Sequence, residues 1–166
     1  SLRRELLHLV EEDARAYLAV ADAYHLPRAT PEEQEQRTQA IQAALRAAAL
    51  PPLEVGRACR AVLLLAADVA RDGNEAVVSD AGVAAQLARA GLRGAALNVQ
   101  INLQAIHDRA FVEQMWRDLA AIEDGSDELA TAVEAEAQRR MKLSSPSGGG
   151  ASPSGGPDER PPTPRG

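Results

Sequence analysis

The run AVLLLAADVA, residues 61–70, carries one charged side chain, Asp68, among apolar ones. Pro51-Pro52 precede it and Gly73-Asn74 follow it, so it fills the middle of a segment, residues 52–71, with breakers at both ends. A surface helix keeps one polar face for water. A helix apolar nearly all round can be covered only by neighbours on every side. The chain must therefore build a helical bundle thick enough to bury one of its own members. Composition agrees. Ala, Leu, Glu, Gln and Arg, all strong helix formers, are abundant, and aromatic residues make up only 2%. Alternating Val/Ile/Thr runs with hairpin turns are missing. The expected fold class is all-α.

The breakers divide the chain. Helix one is expected from about Leu2 to Tyr24, ending where Pro27 biases Leu26 away from helical angles. TPEE, Thr30 to Glu33, has the capping-box pattern, with Pro at the first helical position, and opens helix two, which runs to about Ala49. Helix three covers about Pro52 to Arg71. DGNEAVVSD interrupts it, with Ser79 or Asp80 as the next cap, and helix four extends over about Asp80 to Ile106. A last helical region, about Arg109 to Met141, is interrupted at Gly125-Ser126. This makes a bundle of about five helices in one domain, residues 1–143. Residues 144–166 hold six of the ten prolines, six of the twelve glycines and no large apolar side chain, the composition of a disordered tail. The Gly148-Gly149-Gly150 run within it has no preceding strand or following helix to make a phosphate-binding loop.

Several classes of function drop out. A net charge of −6 argues against nucleic acid as a partner. No apolar run approaches the roughly 20 residues needed to span a bilayer. The opening SLRRELLHLVEED reads as a helix already under way, not a signal peptide, and points to a chain cut from something longer. A lone cysteine, Cys59, excludes an internal disulfide, suits a reducing cytoplasm and reads as a small core residue. His8, His25 and His107 have no ligand spacing to one another or to Cys59, so no metal is expected.

The polar residues inside apolar faces carry the chemistry. On helix one, Leu2, Leu6, Leu9, Val10, Tyr17, Val20 and Tyr24 all fall within roughly 60° of Asp13. Asp13 thus sits at the centre of the apolar stripe, where burial would raise its pKa and make it a general acid or base. A structural pair with an arginine is the alternative. Arg37 shares a face of helix two with Ile41, Leu45 and Ala48. It is placed to neutralise Asp13, to hold an anionic ligand bidentately, or to snorkel to water. On helix four Asn98 and Asn102 project about 40° apart, with Val99, Leu103 and Ile106 on one side and Leu97 and Ile101 on the other. Buried amides need partners, in the protein or in a ligand. A carboxylate, an arginine and two amides on separate helices suit a polar heteroaromatic ligand and proton transfer.

Those residues sit within a wider pattern. LVEEDARAY (9–17), HLPRATPEEQEQR (25–37), IQAAL (41–45), PPLEV (51–55), GNEAVVSDAGVAA (73–85), NVQINL (98–103) and HDRAF (107–111) follow one another in the order of a known family. The chain resembles the formimidoyltetrahydrofolate cyclodeaminase and methenyltetrahydrofolate cyclohydrolase family, which includes the cyclodeaminase part of formiminotransferase-cyclodeaminase. The resemblance implies a helical, typically dimeric enzyme, and the lone cysteine a cytoplasmic one. Such an enzyme expels ammonia from formiminotetrahydrofolate to close the methenyl ring, or opens that ring with water. Tetrahydrofolate is then the carrier of the substrate carbon, and a formiminotransferase is a partner for the first reaction. The family's catalytic aspartate falls on Asp13. Its other motifs fall on Arg37, Gly73, Asn74, Ser79, Asp80, Asn98, Asn102 and Asp108. Of these, Arg37, Asn74, Ser79, Asp80, Asn98 and Asn102 are expected to line the folate site, although Ser79 and Asp80 would also serve as an ordinary helix cap. Family members carry a Gly-rich turn and a small-residue helix ahead of helix one, and that segment is missing here. Its loss should leave apolar surface open and favour self-association. A non-catalytic folate-binding or helical interaction module is the alternative of another class.

Overall fold

A computed structural model describes residues 1–141. The expected tail from Ser144 onward lies outside the described residues. Among these the fold is all-α: α1 (Leu2–His25), α2 (Pro31–Ala48), α3 (Leu50–Asp72), a 3-10 turn (Glu75–Val77), α4 (Val78–Leu103), α5 (Arg109–Glu123) and α6 (Ser126–Arg140). The count is six, not about five, because Gly125 adopts φ +65° and divides the last helical region in two.

α3 and α4 form the central pair. α1 and α2 pack on each other and α1 on α3, while α6 lies along both α3 and α4. Leu53, Leu63, Val78, Val99 and Leu119 are fully buried. Where α3 crosses α4, a Cβ at Gly91 would come 2.8 Å from Cys59 Sγ, so the close approach requires glycine there. Cys59 is buried, and that burial pushes its thiol above the usual cysteine value. Two arginines fasten the helix ends. Arg60 donates to the carbonyls of Ile122 and Asp124 and to Ser126 Oγ at 2.9, 2.6 and 2.8 Å, holding the α5–α6 turn on α3. Arg140 donates to the carbonyls of Ala70, Arg71 and Gly73 at the C-terminal end of α3.

Local signals behaved unevenly. The capping box forms, with Glu33 N donating to Thr30 Oγ1 and Thr30 N to Glu33 Oε2, each at 3.2 Å. Ser79 and Asp80, in contrast, do not cap α4. Asn74 Oδ1 accepts from Ala76 N at 3.0 Å and caps the short 3-10 turn. α4 then continues directly from that turn, with Ser79 and Asp80 inside its first turn. It ends at Leu103 rather than Ile106. α3 keeps the open apolar surface that was expected of this chain. Leu64, Leu65 and Val69 remain 49, 55 and 39% exposed, because α1, α4 and α6 cover only part of its circumference.

Candidate functional site

A cavity of about 300 Å³ opens where α1, α2 and α4 meet, lined by Asp13, Tyr17, Val20, Leu45, Ala48, Asn98 and Asn102. Its floor is set by proline chemistry. Ala48 ends α2, and the residue four positions on is Pro52, which has no N–H to donate. Asn102 Nδ2 supplies the missing donor, reaching the carbonyl of Ala48 at 3.0 Å. Gln42 ties the same two helices further along: its Nε2 donates to the carbonyl of Ala105 at 2.9 Å and its Oε1 accepts from His107 N at 2.8 Å. Together these bonds set the register of α4 against α2, and with it the position of Asn98 and Asn102.

The burial expected of Asp13 and Asn98 is not found. Both are exposed, and Asn102 is half-buried. The apolar arc of α1 is broader than the surface α2 and α3 cover. Leu9 and Ala23, to one side of Asp13, are buried, but Val10, Tyr17 and Tyr24, to its other side, stay 67, 72 and 48% exposed. Asp13 takes part in none of the ion pairs found among the described residues, so its carboxylate faces the cavity without a cation.

Arg37 neither neutralises Asp13 nor lines the cavity. Its Nε and Nη2 donate to the carbonyl of Tyr24 at 3.3 and 3.0 Å, and its guanidinium lies 5.5 Å from the centre of the Tyr24 ring. That carbonyl is orphaned at the C-terminal end of α1, where a cation is also favoured by the helix dipole. Asn74 is occupied as a cap. Ser79 lines an apolar groove of about 380 Å³ between α4 and α6. Asp80 lines another, about 260 Å³, between α3 and α4. Asp108 caps α5 by accepting from Phe111 N at 3.1 Å. At Gly73 a Cβ would meet the carbonyl oxygen of Val69 at 2.4 Å. Within one copy, then, Asp13, Asn98 and Asn102 share a cavity, and Arg37, Asn74, Ser79 and Asp80 stand outside it. Gln42 and Ala48, which shape the cavity, carried no signal in the sequence: their partners lie 65 and 54 residues away.

A cleft of about 370 Å³ beside Arg93, Gln100, Glu123 and Asp127 is somewhat larger. Its carboxylate is already engaged. Asp127 binds Arg93 and, at 2.7 Å, Arg89, and these hydrogen bonds hold its carboxyl below the usual aspartate value. The Asp13 cavity differs in chemistry. Its carboxylate can take a proton from water or pass one to a departing amine, and its amides offer both donors and acceptors to a heteroaromatic edge. Among the described residues no group of three or more His, Cys, Asp or Glu side chains is placed to hold a metal ion. No described helix is long and apolar enough to cross a membrane.

Comparison with known proteins gives a consistent result. A sequence model of the formiminotransferase-cyclodeaminase family matches residues 1–121. The chain is 47% identical over 121 residues to a methenyltetrahydrofolate cyclohydrolase of Methylorubrum extorquens, covering 73% of this chain and 58% of that protein. It is 36% identical over 118 residues to a formimidoyltransferase-cyclodeaminase of Rattus norvegicus, covering 71% of this chain and 22% of the relative. The crystal structure of a formiminotetrahydrofolate cyclodeaminase from Thermotoga maritima superposes with a TM-score of 0.65 at 26% identity, covering 84% of this chain and 64% of the other. This chain thus spans less than two thirds of the length of each.

Proposed function

The chain belongs to the formiminotransferase-cyclodeaminase family, and from that premise we propose that it is an enzyme of tetrahydrofolate-borne one-carbon units in which Asp13 transfers the proton. The observation that carries the reading is the single cavity shared by Asp13, Asn98 and Asn102. In the cyclodeaminase reaction Asp13 passes a proton to the amine leaving 5-formiminotetrahydrofolate as the methenyl ring closes and ammonia departs. In the cyclohydrolase reaction it accepts a proton from the water that adds to the methenyl carbon. As an anion it also stabilises the cationic methenyl centre. Identity of 47% with a cyclohydrolase, against 36% with a bifunctional cyclodeaminase, favours the hydrolytic reaction for this chain. Asn98 binds the pterin edge, and Asn102, whose amide N–H is held by the carbonyl of Ala48, offers its Oδ1 as an acceptor beside it. The finer parts of the proposal are a cytoplasmic enzyme that needs no metal and works as a homodimer, with a formiminotransferase as supplier wherever the cyclodeaminase reaction operates.

The test is the absorbance of methenyltetrahydrofolate, followed both as it is hydrolysed and as it forms from the formimino adduct. Wild-type protein should turn over in at least one direction. Asp13→Asn should lower kcat by about 100-fold or more, the usual scale for a general acid–base, with an unchanged melting temperature because the residue is exposed. Absence of turnover in both directions would overturn the proposal. Binding of a reduced folate that ignores Asp13→Asn, without turnover, would identify the non-catalytic module instead.

A further inference from the structure

The cavity of Asp13, Asn98 and Asn102 is also lined by an aromatic ring, that of Tyr17. Asp13 and Tyr17 are four residues apart on α1, so they project about 40° and about 6 Å from each other. Asn98 and Asn102 repeat that spacing on α4. Two one-turn pairs thus line the cavity from two helices, with Val20, Leu45 and Ala48 as its apolar part.

The charge of this lining is one-sided. Asp13 is its one acidic side chain, and it includes no Lys, Arg or His. The cations near it in sequence are engaged elsewhere. Arg15 donates to the carbonyl of Glu11 at 3.2 Å and lies 3.9 Å from the Glu11 carboxylate. His8 lies 3.2 Å from Glu12, and Arg37 is held by the carbonyl of Tyr24.

Tyr17 adds to the attraction. The face of an aromatic ring is electron-rich and draws a cation. The chain already uses its other tyrosine in this way, with the Arg37 guanidinium 5.5 Å from the centre of the Tyr24 ring. Among the described residues no such cation lies over Tyr17, and Tyr17 stays 72% exposed. Phe111, in contrast, packs against the core. The cavity therefore holds two cation-attracting groups one turn apart, a carboxylate and a ring face, and the described residues supply a cation to neither.

We propose that Tyr17 sorts the one-carbon adducts of tetrahydrofolate by charge, its ring lying against a cationic one-carbon unit beside Asp13. This rests on the folate reading above and adds which adducts the site selects. The methenyl unit is a cation, and the formimino group, an amidine, carries a proton at neutral pH. The formyl adducts are neutral at the same place. Both reactions of the family then begin from a positively charged unit and share one recognition element. In the hydrolytic direction the water that adds to the methenyl carbon gives its proton to Asp13. The unit becomes neutral, and the hold of Tyr17 on it is lost as product forms.

The test is binding in the Asp13→Asn protein, in mildly acidic buffer, where the methenyl ring persists. The probes are methenyltetrahydrofolate and 5-formyltetrahydrofolate, which share their pterin, benzoate and glutamate parts and differ in the charge of the one-carbon unit. Adding Tyr17→Leu should weaken methenyl binding about tenfold and formyl binding by no more than about twofold. Tyr17→Phe keeps the ring face and should bind both ligands as its parent does. All three proteins should melt together, because Tyr17 is exposed. Equal losses for the two ligands in Tyr17→Leu would mean apolar contact without charge selection and overturn the proposal. Unchanged binding of both would overturn it as well. The readout needs no turnover, so it separates this proposal from the reaction. Charge-selective loss in Tyr17→Leu, with wild-type protein inactive in both directions, upholds Tyr17 and refutes only the reaction. An active wild type with equal losses refutes only Tyr17, and a protein that binds neither folate refutes both.

Discussion

Asn98 and Asn102 stand one turn apart on α4, yet the structure divides their tasks. Asn102 commits its amide N–H to the carbonyl that Pro52 deprives of a helical donor. Replacing it with alanine leaves that half-enclosed carbonyl without a partner and should lower stability by about 1 kcal/mol. Asn98 is exposed, so Asn98→Ala should change stability by no more than about 0.5 kcal/mol while weakening binding of a reduced folate. Urea unfolding and calorimetric titration of both variants check this. Equal stabilities for the two would mean that the Asn102–Ala48 bond contributes nothing, and unchanged folate affinity in Asn98→Ala would remove that residue from the site. Asp13 raises a related point. Its usefulness as a proton carrier does not rest on burial in one copy, since it is exposed and lies outside every ion pair among the described residues.

At the scale of elements, α4 organises the site because it meets α3 closely on one face and the Asp13 cavity at the margin of another. The close approach to α3 depends on Gly91, whose Cβ position lies 2.8 Å from a sulfur atom anchored in the core. Gly91→Ala should raise the helical propensity of α4 yet destabilise the protein by about 1–3 kcal/mol, as overpacking does. Thermal unfolding measures the balance, and a stabilised variant would show that α3 and α4 separate without cost. α2 illustrates the opposite case, an element set by its own neighbours in sequence. Thr30, Pro31 and Glu33 lie within one turn, so the bonds that start the helix need nothing from the rest of the fold.

For the molecule as a whole, the distribution of apolar surface is the outstanding property. Large apolar side chains stay exposed on α1, α3 and α4 together, among them Val10, Tyr17, Leu65, Val69, Leu87 and Leu97. Exposed apolar side chains that lie together mark association sites on proteins. If two copies cover it, folding is linked to assembly, and the melting temperature should rise steadily with protein concentration. Calorimetry over a hundred-fold dilution series tests this; a concentration-independent transition for wild type would mean that the exposed faces contribute nothing to stability.

The sequence by itself determined the helical class, the positions of most breaks and the residues that one helical face brings into line. These are consequences of propensity, proline and glycine geometry and the 3.6-residue period, all of which act over a few residues. Asp13, Asn98 and Asn102 were legible because each interrupts an apolar periodicity on its own helix. How far each would be buried was not legible, because a helical wheel shows which way a side chain points and not whether another helix lies there. Arg37 shows the same limit: its face was read correctly, but its partner, the carbonyl ending α1, became available only through the angle at which α1 and α2 pack. Ser79 and Asp80 resembled caps until Asn74 took that role in the preceding turn. Only the tertiary structure decided that Asp13 and the two amides meet while Asp80 stands apart, since that depends on the register of α4 against α2, held by Gln42 and Asn102 across more than fifty residues of chain.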